Sequence, residues 1–239
     1  MTVDIFIPCF IDQVYPETAF NMIKILNKLD VDVNYNPEQT CCGKTAFDNG
    51  YWDMAKEVGE KFLNDFPNDR PIVSPTSTCV GMVRNNYGEL FHNTGVHLEY
   101  KRVQRNLFEF SEFLVDQLKV TDVGSEFHAK VTYHDSCSAL RDLGVKSQPR
   151  TLLENVNGLE LVEMKDTDTC CGFGGSFSVK NEAISVAMAE QKVHNAIESG
   201  ADYIASTDLS CLMNQQAYIT KNKLKIKTIH LIDILAKSL

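Results

Sequence analysis

Eight of the 239 residues are cysteine, at positions 9, 41, 42, 79, 137, 170, 171 and 211. They fall into two sets of the same pattern: a single Cys, then a vicinal pair followed by Gly, then a single Cys. In the first set 31 residues separate Cys9 from the pair and 36 separate the pair from Cys79; the second set has 32 and 39. Equivalent cysteines are offset by 128, 129 and 132 positions, the slow drift that a duplicated unit with small loop insertions produces. Local context agrees. Gln39-Thr40-Cys41-Cys42-Gly43 faces Asp168-Thr169-Cys170-Cys171-Gly172, and Ser77-Thr78-Cys79 faces Leu209-Ser210-Cys211.

Thiols in such an arrangement bind metal or do redox work. Structural zinc sites usually take ligands from C-x2–4-C knuckles, and no C-x2-C exists in this chain. Iron–sulfur clusters accept widely separated thiolates, and four per half matches one [4Fe–4S] cluster. Counting therefore favours up to one cluster per repeat, with zinc as a possible substitute and redox disulfides as a further alternative. The metal ligands are expected to be Cys9, Cys41, Cys42 and Cys79 in one repeat and Cys137, Cys170, Cys171 and Cys211 in the other. Cys79 and Cys211 are expected at helix starts, where free N–H groups favour thiolate. Around the second set, Gly172, Gly174 and Gly175 could let backbone N–H groups turn toward sulfur. His134 could donate a hydrogen bond to a cluster or carry a proton. Arg141 could hold a carboxylate or form a surface salt bridge. His92, His97, His128, His194 and His230 have no ligand spacing and are expected to be structural. Lys44 and Phe47 follow the first pair and either shape access to it or pack.

The elements that must position these groups read as α/β. Val3, Ile5 and Ile7 alternate in a strand ending at Cys9, and Pro16 opens a helix whose Ala19, Met22, Ile23, Leu26 and Leu29 share a face. A strand over 31–35 precedes the vicinal pair, a helix covers about 51–65, and a strand over 71–74 leads to Cys79. The second copy repeats the order, with strands 130–134, 159–164 and 203–206 each leading to a cysteine. Segment 105–119 is expected to be a helix joining the halves, and the tail to hold a strand at 226–229 and a last helix. The fold class is α/β: two pseudo-symmetric repeats, 1–125 and 126–239, each a small parallel sheet flanked by helices with cysteines at the carboxyl ends of strands. Loops at those ends converge on one sheet edge, which is how thiols 30 to 40 residues apart can meet.

Composition excludes several classes. With 23 Lys plus Arg against 32 Asp plus Glu, the net charge is −9, which disfavours nucleic acid or anionic lipid as a partner. No apolar run approaches the roughly 20 residues of a membrane span, and the first ten residues lack the basic start of an export signal. A cytoplasmic, reducing location is expected, where thiols stay free or bind metal. There is no G-x-G-x-x-G after a strand, no P-loop and no G-x-S-x-G elbow.

The duplicated motif Cys-x31-Cys-Cys-Gly-x35-Cys resembles the cysteine-rich CCG domain family. Its members include a subunit of heterodisulfide reductase, the small subunit of anaerobic glycerol-3-phosphate dehydrogenase and glycolate oxidase iron–sulfur subunits. The resemblance also rests on Pro8-Cys9-Phe10, Tyr15-Pro16-Glu17, the stretch 133–137, the stretch 170–176 and the stretch 206–213, and it spans essentially the whole chain. Within the family it points to the branch serving L-lactate oxidation. It implies an electron-transfer subunit partnered by a ferredoxin-like iron–sulfur subunit and a third small subunit. Two alternatives are a catalytic subunit of the heterodisulfide reductase type and a structural zinc scaffold. The fuller family pattern ends in Cys-x-x-Cys, its last thiol helping to hold a noncubane cluster. Met82 and Asn214 stand at that position here, so an ordinary cubane is as compatible as the noncubane form.

Overall fold

The computed structural model describes residues 1–239, which form two compact units, Met1–Phe113 and Leu114–Leu239. The first is built on β1 (Thr2–Ile5), β2 (Asp32–Tyr35), β3 (Ile72–Ser74) and β4 (Leu107–Glu109). The second is built on β5 (Glu126–Tyr133), β6 (Asn157–Leu161), β7 (Tyr203–Ser206) and β8 (Lys227–His230). Each sheet is wholly parallel, in the orders β2-β1-β3-β4 and β6-β5-β7-β8. The chain therefore reverses direction across the sheet between β1 and β3, and again between β5 and β7. At such a switch point the loops leaving two neighbouring strands diverge and open a crevice. Cys9 and Cys79 follow β1 and β3, and Cys137 and Cys211 follow β5 and β7, so four cysteines flank the two crevices.

The central strands are apolar because both faces are covered by helices. Val3, Ile5, Ile72, Val73, Val131 and Ile204 are essentially inaccessible. The long helices Pro16–Lys28 and Trp52–Asp65 in the first unit, and Glu182–Glu198 and Leu209–Lys221 in the second, supply those covers. Pro16 opens its helix as expected, where a missing N–H costs nothing. A cluster of aromatic rings fills the first unit: Phe6 meets Phe62 edge to face at 4.8 Å, and Phe62 meets Phe66 at 5.0 Å.

One expectation is corrected. Segment 105–119 is not a single helix: the helix His97–Asn106 ends there, residues 107–109 form β4, and helical turns resume over 110–117. Three residues of strand leave little alternation to read, yet β4 closes the sheet by pairing Ile72 with Leu107 and Ser74 with Glu109. Glu109 then caps the next helical turn, accepting from the N–H of Ser111 at 2.8 Å and of Glu112 at 3.2 Å. In the second unit His230 stands at the matching end of β8, and its Nδ1 accepts from the Ile232 N–H at 3.2 Å.

Glu109 is fully buried, and burial pushes its carboxyl up to about 8, against the cap hydrogen bonds that favour the ionised form. Its second oxygen, Oε1, has no hydrogen-bond donor to favour the ionised form. A carboxyl raised in the folded state stabilises the fold fully below its unfolded value of 4.5, and that contribution is lost as pH rises toward 8. Glu109→Gln keeps an acceptor for the cap but cannot ionise. Denaturant titrations should find the variant gaining on the wild type between pH 5 and 9, by roughly 2–5 kcal/mol. A constant difference across that range would show that Glu109 is ionised in the fold.

Candidate metal centres

Each thiol set assembles from three strand ends. Cys9 opens the helix Cys9–Val14, the vicinal pair Cys41–Cys42 lies in the loop after β2, and Cys79 is the third residue of the helix Ser77–Gly81. Cys137, Cys170–Cys171 and Cys211 take the same places, Cys211 being the third residue of the helix Leu209–Lys221. The fourth cysteine thus sits at a helix start in both halves, as expected. All eight thiols are free. Cys9 and Cys137 are exposed, Cys42, Cys171 and Cys211 are buried, and the others are half-buried.

Within each set the sulfurs are close enough to share protons. Cys9 Sγ lies 3.7 Å from Cys41 Sγ, and Gly43 N–H donates to the latter at 3.4 Å. The second set matches, with Gly172 N–H donating to Cys170 Sγ at 3.4 Å. Cys41 is held far below the thiol range by the Cys42 and Cys9 thiols that donate to it, and by the Gly43 and Cys42 N–H groups. Cys170 is held down in the same way, first by Cys137 and then by Cys171. The donors are pushed up in return: Cys9 and Cys42 by their hydrogen bonds to Cys41, Cys137 and Cys171 by theirs to Cys170, and all four by burial. Cys211 falls to about 7, chiefly through the Cys171 thiol and secondarily through His134. Four thiolates cannot coexist at such separations without a cation among them. A set of crowded, partly buried sulfurs that must shed protons to act together is the donor chemistry of a thiophilic metal centre.

The vicinal pairs are held by their neighbours. Gly43 and Gly172 adopt φ of +81° and +86°, and a Cβ on either would meet the facing helix: Ala55 O at 3.1 Å or Ser185 O at 2.6 Å. Only glycine lets the pair lie this close to the helix. The carbonyl of the second Cys is bonded in both halves, by Tyr87 Oη to Cys42 O at 3.0 Å and by Asn214 Nδ2 to Cys171 O at 2.9 Å. Asn214, which stands where the family pattern has a fifth thiol, therefore holds the pair's backbone. Beyond Gly172 the Phe173 N–H reaches Cys171, while Gly174 and Gly175, at φ of +50° and +57°, turn the chain into the helix Ser176–Lys180.

Several positioning groups carry no signal in the sequence. Gln39 ties the loop before the first pair to the end of β1, its Oε1 accepting from Ile7 N–H at 2.7 Å and its Nε2 donating to Ile5 O at 3.1 Å. In the second half, buried Asp135 takes both ends of the Arg150 guanidinium at 2.8 and 2.9 Å, and Arg150 also grips Glu163. Buried Lys192 donates to Asp166 O. The distant partners of Gln39 and Arg150 lie 13 to 34 residues away, with no spacing rule to join them. Arg141 donates to Asp168 O at 3.0 Å, Lys44 pairs with Asp48 at 3.1 Å, and Phe47 stacks on Trp52 at 5.4 Å. Of the remaining histidines, His128 bonds Glu126, His92 and His97 pack ring to ring, and exposed His194 packs on Tyr218.

His134 is different. Its backbone continues the β5 ladder, N–H to Ala205 O at 2.8 Å, and its carbonyl accepts from Ser206 Oγ at 3.0 Å. The ring is fully buried. One ring nitrogen and the sulfurs of Cys171 and Cys211 all lie within 4.8 Å of one another. The ring acts on the Cys211 sulfur and favours its thiolate, and neither nitrogen meets any nitrogen or oxygen partner. At the same ladder position of the first half, Phe6 N–H bonds Val73 O at 3.0 Å.

With two α/β halves each gathering a Cys, a Cys-Cys-Gly and a Cys at one sheet edge, the chain belongs to the cysteine-rich CCG domain family, whose pattern matches residues 3–84 and 131–215. Its relatives include proteins named lactate utilization protein A. That of Geobacillus kaustophilus is 39% identical over 236 residues, covering 98% of both chains. That of Halalkalibacterium halodurans is 39% identical over 98% of this chain and 96% of its own, and that of Oceanobacillus iheyensis 36% identical over the same shares. Among solved structures, a hypothetical protein from Helicobacter pylori superposes with a TM-score of 0.61 at 12% identity, covering all of this chain and 49% of that one, a likeness of fold.

The close approach at Gly172 yields a direct check. Gly172→Ala should cost about 2 kcal/mol or more of stability, through the left-handed backbone and the clash with Ser185 O. Gly50→Ala, at a similar φ of +81° but with open space around it, separates the two causes in thermal melts. Equal losses at both positions would mean that helix approach contributes nothing.

Proposed function

We propose that the chain is an iron–sulfur electron-transfer subunit of a complex that oxidises L-lactate to pyruvate, allowing lactate to serve as carbon and energy source. The observation that carries the metal part is the gathering of four thiols twice, each set forced to share protons unless a cation sits among them. The lactate part is supported by the relatives' name and by near full-length similarity to them. On this reading Cys9, Cys41, Cys42 and Cys79 hold one centre, and Cys137, Cys170, Cys171 and Cys211 the other. A [4Fe–4S] cluster supplies one-electron transfer at accessible potential.

The chain's own contribution is placement and environment. Gly43 and Gly172 bring N–H groups to sulfur, and such donors stabilise the more negative, reduced state of a centre. Buried Cys42, Cys171 and Cys211 form the inner wall, while Cys9 and Cys137 face outward, where a partner's redox centre can approach. The partners fitting this role are a ferredoxin-like iron–sulfur subunit and a third small subunit. No helix is long and apolar enough to cross a membrane.

Protein purified without oxygen should contain about eight iron and eight acid-labile sulfide per chain, one four-iron cluster for each set of four thiolates. Cys171→Ser should halve both and leave the other half's spectrum intact. A strain lacking this chain should fail to grow on L-lactate, with the wild-type sequence restoring growth and Cys171→Ser not. Zinc without sulfide would overturn the redox reading, and undiminished growth on lactate would overturn the metabolic one.

A further inference from the structure

The two halves carry the same four cysteines but not the same fifth side chain. In the first, Phe6 occupies the position that follows β1, fully buried and packed edge to face on Phe62 at 4.8 Å. In the second the equivalent residue is His134, equally buried, in a ladder with the same hydrogen bond to the neighbouring strand. The helix that contributes Phe62 in the first half contributes buried Lys192 in the second, as the matching contacts of Gly43 with Ala55 and Gly172 with Ser185 set the register. An aromatic pair has thus been replaced by two nitrogen-bearing side chains. Lys192 has a partner, the Asp166 carbonyl. The His134 ring has no nitrogen or oxygen partner at either Nδ1 or Nε2, and the group it acts on is the Cys211 sulfur.

A buried polar atom without a partner forfeits the interaction it had with water, so native cores rarely keep one. An imidazole that packing alone required would be better served by the phenyl ring found in the first half. Its nitrogen instead lies within 4.8 Å of two sulfurs, those of Cys171 and Cys211, on the inner wall of the thiol set. A group of that kind, with the ring pinned at its backbone on both sides, is a metal-ligand arrangement in which the metal itself is the missing partner.

We propose that His134 is a fifth protein ligand of the second centre, binding through a ring nitrogen an iron that also carries a thiolate, as a noncubane cluster allows, so that the chain holds one all-sulfur centre and one mixed sulfur–nitrogen centre. This rests on the reading of the two thiol sets as iron–sulfur sites. A neutral imidazole adds no negative charge, whereas a thiolate adds one, so the His134 ligand distinguishes the second centre without making it harder to reduce. The two centres of one duplicated chain are then unequal by construction.

The test uses the full chain with Cys41→Ser and Cys42→Ser, which clears the first centre and leaves the second to be read alone. The protein is labelled with 15N-histidine, purified without oxygen and poised in the paramagnetic state of the second centre for pulsed electron–nuclear double resonance. A strongly coupled nitrogen that scales with the 15N label, and is lost in His134→Gln, is the expected result. His134→Phe, which copies the first half, should retain sulfide while its midpoint potential shifts from that of the parent. Iron and sulfide in full amount with no strongly coupled nitrogen, and an unmoved potential in His134→Phe, would overturn the ligand proposal and leave the iron–sulfur reading standing. A second site with zinc and no sulfide would instead overturn that reading. X-ray absorption at the zinc edge then decides His134 separately: imidazole scattering supports its ligation, and a shell of sulfur alone overturns it.

Discussion

Everything in this fold answers to the mutual repulsion of thiolates. Four sulfurs drawn from three strand ends are packed so closely that at most a fraction of their negative charge can persist, and the chain meets this with protons shared along each row of sulfurs. Such crowding has to be held by the rest of the structure. Parallel strands deliver the cysteines to one edge, glycine allows the vicinal pair to lie against a helix, and Tyr87 or Asn214 grips the pair's carbonyl. Removing any one of these leaves charge repulsion to push the set apart.

Duplication supplied the frame twice, and divergence then altered what surrounds it. The first unit carries an aromatic core of Phe6, Phe62, Phe66 and Tyr87, of which Tyr87 reaches the vicinal pair. The second places His134, Asp135, Lys192 and Asp208 at buried positions. Asp135 is neutralised by Arg150, and Ser136 donates to Asp208. A buried ion pair of this sort is costly to break though of modest net worth, so it preserves a geometry more than it adds stability. The polar second unit offers fixed charges and dipoles where the first offers polarizable rings.

The thiol positions, the parallel α/β character and seven of the eight strands are legible in the sequence. Paired motifs identify equivalent residues, alternation of Val3, Ile5 and Ile7 marks the strand Thr2–Ile5, and a short apolar run before a cysteine marks Tyr203–Ser206. The strand Leu107–Glu109 escapes because three residues inside an apolar, helix-flanked stretch show no period, although its copy at Lys227–His230 is visible and the repeat itself points to the twin. Gln39, Arg150 and Lys192 escape for another reason. Their roles depend on which distant backbone or carboxylate they reach after folding, and side-chain type alone does not encode the partner. Asn214 shows in the sequence as a missing thiol, while its amide contact with Cys171 O is a property of the folded loop.

The uneven exposure within each set has a consequence for how a centre is built and lost. Cys42 and Cys171 are buried, while Cys9 and Cys137 stand at the surface on the first turn after their strands. Traffic is therefore one-sided. A metal ion or an oxidant arriving from solvent meets the outer cysteine first, and the inner ones only after it. Oxidation of the free thiols is expected to begin at Cys9 and Cys137 and to reach buried Cys42 and Cys171 last.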